Sequence, residues 1–299
     1  MDLEQSRPDQ LSTHDLTHPE LLFCHFPFGK DPEIIREYVV ANRYDGVEWG
    51  LDGWRMMVAR GRRQQMIDRL RSVASLCSLH APYTDLEIGH RDAEYAEAAV
   101  RVLQGYVDAA ADLSAHHINL HVGSFAPDPE ELSWETLVRN LAGLMDYAAQ
   151  RRTVLTVENL RHGPTSDPET FAALLRETGA PVTFDLGHAH GSAWVQSGRG
   201  SVADFLKSIP TRIMAGHLYF TERNDSHFAP TDVTDIAGAL DGLWEAGCDF
   251  WVLELHTRET LEQTRRVLDQ YLAERESRIA SEQGRAERTP RTGGDHVVS

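Results

Sequence analysis

Eight short apolar runs, rich in β-branched and aromatic residues, recur along the chain, and amphipathic stretches lie between them. The runs are 21–26, 46–49, 76–80, 117–121, 154–158, 182–185, 213–217 and 251–255. Between 93 and 113, Ala96, Val100, Leu103, Tyr106, Val107 and Ala110 fall at helical spacing and form one apolar stripe suited to covering a sheet. Leu137, Leu141, Leu144 and Tyr147 repeat the device in the next unit. Helix entries are also marked. Asp-Pro-Glu occurs at 31–33, 128–130 and 167–169, where Asp can cap free N–H groups and Pro occupies the first helical position without losing a needed bond. Ser201-Val202-Ala203-Asp204 is a looser capping box. Strand then helix, eight times over, predicts a single-domain α/β fold, the (β/α)8 TIM barrel. The competing doubly wound sheet would be supported by a glycine-rich phosphate loop, and no G-x-G-x-x-G is present. The barrel is expected over 18–275, between an N-terminal tail at 1–17 and a polar, Gly/Pro-broken tail at 276–299 whose composition predicts disorder.

Composition narrows the partners. A net charge of −17, from 46 Asp+Glu against 29 Lys+Arg, opposes duplex nucleic acid and anionic membranes. No apolar run approaches the length of a membrane span, and the polar, acidic N-terminus does not read as a signal peptide. The three cysteines, Cys24, Cys77 and Cys248, sit in or beside apolar runs without metal-type spacing, so they read as buried reduced thiols of a cytoplasmic protein.

The chemistry is concentrated at the run ends. His80, His121, Glu158, Asp185, His188, His217, Asp225, His227 and Glu254 each fall where a strand finishes or in the loop beyond. Parallel barrel strands share one C-terminal face, so these side chains must converge there. Imidazoles and carboxylates are the donors of zinc, manganese and iron. One such histidine would ordinarily be structural. Several converging carboxylates without a cation would be costly, because buried charge must be paired or neutralised.

His80-Ala81-Pro82-Tyr83, His121-Val122-Gly123-Ser124, Glu158-Asn159, Asp185-Leu186-Gly187-His188, His217, Asp225-Ser226-His227 and Leu253-Glu254 together resemble the ordered motifs of the xylose-isomerase-like TIM-barrel superfamily, over about 20–275. The closest motif set is that of endonuclease IV and its sugar-isomerase relatives. Among the isomerases and epimerases the resemblance implies one divalent metal held by Glu158, Asp185, His217 and Glu254, with Glu158 and Glu254 as acid and base. The endonuclease branch implies all nine positions holding three zinc ions. A residue stands at each of the nine, which favours two or three zinc ions and hydrolysis of a phosphoester, since adjacent cations activate water and stabilise a leaving oxygen. Manganese, cobalt or magnesium is the alternative. The chain departs from the endonuclease pattern at Phe228-Ala229-Pro230-Thr231, where a Gly-x-Gly turn is usual, and in lacking basic, DNA-inserting loops; the loop at 51–55 is short and mixed.

The leading expectation is therefore a metal-dependent hydrolase of a small sugar- or nucleotide-like phosphoester. The runner-up is a sugar or sugar-phosphate isomerase or epimerase, and the third reading is a non-catalytic sugar- or metal-binding barrel. Substrate contacts are assigned to His25, Glu48, Trp49, Tyr83 and Arg223, each with a structural alternative. His190, His256, Asn159 and Thr183 are candidates for supporting the ligands. Arg161, Arg199 and Arg223 are candidates for gripping a phosphate. His116 and His162 receive no role.

Overall fold

The computed structural model describes residues 18–51, 60–123 and 131–288. The eight expected strands are all present, parallel, and closed on themselves. In chain order they are β1 (Glu20–Cys24), β2 (Gly46–Gly50), β3 (Leu76–His80), β4 (Ile118–Leu120), β5 (Leu155–Glu158), β6 (Val182–Asp185), β7 (Ile213–Leu218) and, after a hairpin, β10 (Phe250–Leu253). Each strand pairs with its neighbour in sequence order, and β10 returns to β1 through Leu21↔Trp251 and Phe23↔Leu253.

Helices wrap the outside: α1 (Pro32–Asn42), α2 (Arg60–Arg71), α3 (Ala93–Leu113), α4 (Trp134–Gln150), α5 (Pro168–Thr178), three short segments α6 (Leu186–Gly191), α7 (Ala193–Gln196) and α8 (Val202–Lys207), then α9 (Ala237–Glu245) and α10 (Arg258–Arg288). Their entries follow the sequence logic. Asp31 and Asp167 accept from the backbone N–H two residues on, at 3.0 and 3.2 Å, with Pro at the first helical position of each helix. Ser201 and Asp204 form a complete capping box. The third Asp-Pro-Glu, at 128–130, lies outside the described residues, as do 1–17 and most of the loop at 51–55.

Period-two alternation divides each strand between two environments. Leu21 and Phe23 of β1, Val47 and Trp49 of β2 and Trp251 and Leu253 of β10 belong to the large core shared with the helices. Leu22, Ala215, Phe250 and Val252 form a small separate cluster on the other strand face, which plugs the lower lumen. Above it the lumen turns polar. Ser78 donates to Glu48 at 2.8 Å, and the hydroxyls of Thr156 and Thr183 lie 2.8 Å apart, all without solvent exposure. The ligand-type side chains sit at the top of the barrel, at the strand ends, above this hydrogen-bonded layer.

Two departures from expectation have clear causes. The last helix continues to Arg288, so the stretch expected to be disordered from 276 begins inside α10. Its Glu, Arg, Ala and Gln residues are good helix formers, and extending an existing helix avoids the nucleation cost that an isolated segment would face. Arg275 lies over the Trp244 ring at 4.2 Å and Arg278 reaches Asp241 at 3.3 Å, tying the extension to α9. The second departure is the polar loop after β7, which is an antiparallel hairpin of β8 (Thr221–Arg223) and β9 (Ser226–Phe228). Its two-residue turn, Asn224-Asp225, has φ of 49° and 57°. Positive φ at both central positions is what a tight hairpin requires, and Asn and Asp tolerate it better than most residues. Among the described residues no helix is long and apolar enough to cross a membrane.

Candidate metal centre

Four strand ends meet at one point. Donor atoms of Glu158, Asp185, His217 and Glu254, all buried, lie within 4.8 Å of one another. His217 Nδ1 is 3.2 Å from Glu158 Oε1, 3.2 Å from Glu254 Oε2 and 3.7 Å from Asp185 Oδ2. A second group meets the same criterion: His80, His121 and Glu158. His121 Nε2 and His80 Nε2 lie 3.1 and 3.4 Å from Glu158 Oε2, and 3.1 Å from each other. Glu158 therefore directs one carboxylate oxygen into each group. Asn119, one layer below, also donates to Glu158 Oε2.

The local sequence explains how these side chains are held. Asp185 ends β6 and caps α6, accepting from His188 N–H at 2.6 Å with Oδ1. That leaves Oδ2 buried and without a hydrogen-bond partner. Asn159 brackets the Asp185 backbone, donating to its carbonyl at 2.8 Å and accepting from its N–H at 2.9 Å. Gly187 is required in the Asp-Leu-Gly-His run, because a Cβ there would collide with the Tyr219 ring. Tyr219 in turn stacks on His227, ring centroids 3.9 Å apart and planes nearly parallel.

The donor set fits divalent cations. Asp185 Oδ2 is an orphaned buried acceptor, and such atoms are costly unless something binds them. Two imidazole Nε2 atoms facing each other beside a carboxylate oxygen share too few protons and many lone pairs. The electrostatics carry the same message. Burial opposes charge on His80, but the Glu158 carboxylate overrides it and holds the imidazole up to about 9. Burial lowers His121 despite the same carboxylate, so that ring is the neutral partner. Burial raises Asp185 well above the carboxylate range, whereas His217 pulls Glu158 and Glu254 down against burial. A cation would relieve these opposed demands together.

The remaining expected ligands are arranged differently. His188 Nδ1 contacts Glu222 at 2.8 Å and its Nε2 lies 3.7 Å from Glu158 Oε1. Burial opposes charge there too, but Asp185 and Glu222 hold this ring up to about 9. His227 Nδ1 is bonded to the Glu254 carbonyl at 2.7 Å. Asp225 is not brought into either group. Its side chain is 95 % exposed at the hairpin tip, 3.7 Å from Arg161. The tight turn at Asn224-Asp225 reverses the chain there and carries the Asp225 side chain away from His227.

A cavity of about 460 Å³ opens over the cluster, walled by Phe26, Tyr83 and His256 and rimmed by Glu222 and Asp225. Tyr83 lines it, with its ring 4.6 Å from that of His121. The other four residues assigned to substrate do not line it. Strand alternation turns Trp49 outward into the helix core once Glu48 faces the lumen. Glu48 is fully buried beneath His217. His25 is held by the Gly29 and Gly50 carbonyls at 2.6 and 3.1 Å. Arg223 is on the face of β8 opposite Glu222, over the Phe228 ring at 6.0 Å. Arg161, a phosphate candidate from sequence, is engaged by Glu222 at 3.3 Å. Sequence reading missed Glu222; the one available signal was its place opposite His227, visible only once the hairpin register is known.

The comparisons agree with this architecture. Residues 37–275 match the family model described as xylose isomerase-like TIM barrel, and the chain belongs to that family. Among proteins of known sequence, it is 25% identical over 198 residues to the uncharacterized protein MJ0008 of Methanocaldococcus jannaschii, a span covering 66% of this chain and 81% of that one. Among solved structures, it resembles a D-tagatose 3-epimerase-like protein with TM-score 0.71 and 16% identity, over 87% of this chain and 99% of the other. It also resembles endonuclease IV from Thermus thermophilus with TM-score 0.62 and 18% identity, over 86% and 100%. At these identities the structural likenesses establish the fold alone.

Proposed function

We propose that this protein is a metal-dependent hydrolase of a small phosphoester, built around two adjacent divalent cations, with zinc the favoured metal. The observation that carries the reading is Glu158, whose Oε1 serves the Asp185–His217–Glu254 group and whose Oε2 serves His80 and His121. A carboxylate shared in this way is how two cations are held side by side. When bound, such a pair polarises a phosphoryl oxygen and makes water a better nucleophile near neutral pH.

The chain's own residues then divide the work. Tyr83, Phe26 and His256 wall the substrate. His188, tied at Nδ1 by Glu222, presents Nε2 at the cavity floor as a proton donor to the departing alcohol. Among the described residues lining the cavity none is lysine or arginine, which suits one phosphate met by cations and opposes a polyphosphate or a DNA backbone.

A second reading is supported by the epimerase-like structural neighbour and by Glu158 and Glu254, each 3.2 Å from His217 Nδ1. In that reading a single cation polarises a sugar carbonyl, and the two carboxylates move the proton beside it.

The deciding experiment assays small phosphoesters beside free ketoses and aldoses, each with zinc and with manganese, on protein whose metal content has been counted. Two cations per chain with phosphate release supports hydrolysis. Turnover of free sugars alone, with no phosphate released from any ester, removes the leading reading and leaves the second.

A further inference from the structure

We infer that Cys24, Glu48 and Glu254 form a further divalent-cation site, distinct from the two donor groups described above and sharing only Glu254 with them. Donor atoms of the three lie within 4.8 Å of one another, and all three residues are buried. Strand register puts them there. Leu22 of β1 and Val252 of β10 are paired and face the lumen. Two residues further along each chain segment, alternation returns Cys24 and Glu254 to the lumen one layer higher. Glu48 is the register partner of Cys24 on β2. A carboxylate, a thiol and a second carboxylate therefore stand side by side at one level, across three neighbouring strands. Cys77 and Cys248, by contrast, belong to the core shared with the helices.

A second observation points to a ligand. Glu48 has no solvent exposure, and its Oε2 accepts from Ser78 Oγ at 2.8 Å. Its Oε1 has no hydrogen-bond partner. Neither has His217 Nε2, 3.1 Å away, so the two atoms do not satisfy each other. A buried carboxylate oxygen in that state is costly, and a cation relieves the cost. The soft sulfur favours zinc over magnesium or calcium, and three protein donors leave the fourth position of a tetrahedral site open. In the metal-free chain burial, followed by the Glu254 and Glu48 carboxylates, pushes the Cys24 thiol well up. A cation that binds the sulfur expels the thiol proton to solvent. Glu254 also lines the cavity over the main cluster, which gives a cation its way in. The site does not depend on the reaction proposed above.

The test titrates metal-stripped, full-length protein with Co²⁺, which reports a bound thiolate by an intense near-ultraviolet sulfur-to-metal charge-transfer band. Wild type is compared with Cys24→Ser, Glu48→Gln and Cys77→Ser, and cations per chain are counted by elemental analysis after equilibrium dialysis. Wild type should develop the band. Cys24→Ser should lose it together with one cation per chain, and Cys77→Ser should keep both. Glu48→Gln, which preserves volume, should lose the same cation and the same band; if Cys24→Ser fails to fold, this variant carries the test. No band in cobalt-saturated wild type would overturn this site alone. A single bound cation with the band present would support this site and remove the two-cation centre. A wild-type chain that binds no cation would overturn both. A band that survives in Cys24→Ser, or vanishes in Cys77→Ser, would assign the sulfur to another cysteine and overturn the inference. So would Glu48→Gln with cation and band both retained.

Discussion

Glu158 illustrates how much can depend on one side chain. Its carboxylate sits at 1% exposure among four imidazoles, with each oxygen directed to a different donor group. Glu158→Ala should therefore abolish binding of both cations and lower activity by well over the roughly 100-fold expected for losing a supporting residue. Far-ultraviolet circular dichroism should be unchanged, because the packed lumen lies below the site. Retention of one tightly bound cation by elemental analysis would contradict the shared-carboxylate arrangement. The histidines add a pH signature to the metal-free protein. His80 and His188 are both held up to about 9, well above the ordinary imidazole value. A raised group contributes stability that is full below about pH 6.5, the unfolded value, and is lost as pH climbs through the folded value. His121 and His227 are lowered by burial and act oppositely, costing stability only as pH falls below about 6.5. The melting temperature of metal-free protein should thus peak near pH ~6.5 and decline toward pH ~9. Calorimetry showing it still rising between those values would refute the assignment. Cation affinity should move the other way, rising over the same window as His80 releases its proton.

At the scale of elements, the hairpin β8–β9 decides which expected ligands reach the cluster. Opposite registration of Glu222 and His227 turns both toward the cavity, and the Asn224-Asp225 turn carries Asp225 outward. Metal stoichiometry should therefore be unchanged in Asp225→Ala and lower by one in His80→Ala combined with His121→Ala. Equal loss from both would show that the hairpin folds inward to supply Asp225 when cations bind. The same element shows where sequence reading runs out. The ends of β3, β5 and β6 and the length of α3 are legible because apolar periodicity persists over each. The hairpin is not, since its strands are three residues long and hold one apolar residue, Phe228, between them. Composition points the wrong way for residues 276–288, because that stretch is helical only as a continuation of a helix already anchored on α9.

For the molecule as a whole, the charge of −17 sets what can approach the open end of the barrel. We expect no productive binding to duplex DNA at physiological salt, since an acidic surface forfeits the counterion release that drives such complexes. Cleavage of abasic-site DNA at a rate comparable to that on the best small phosphoester would overturn this expectation. By itself the amino-acid sequence determined the barrel and most of the donor set. Parallel strands in a closed sheet must all end on one face, so ligand-type residues at successive run ends converge whatever the loops do. Only the tertiary structure decided how those donors divide. Distances between side chains on different strands depend on register and barrel curvature, which no one-dimensional spacing encodes. That is why the sharing of Glu158 between two groups, the withdrawal of Asp225, the retreat of Trp49 into the outer core and the seat of Glu48 behind His217 emerge only from the folded chain.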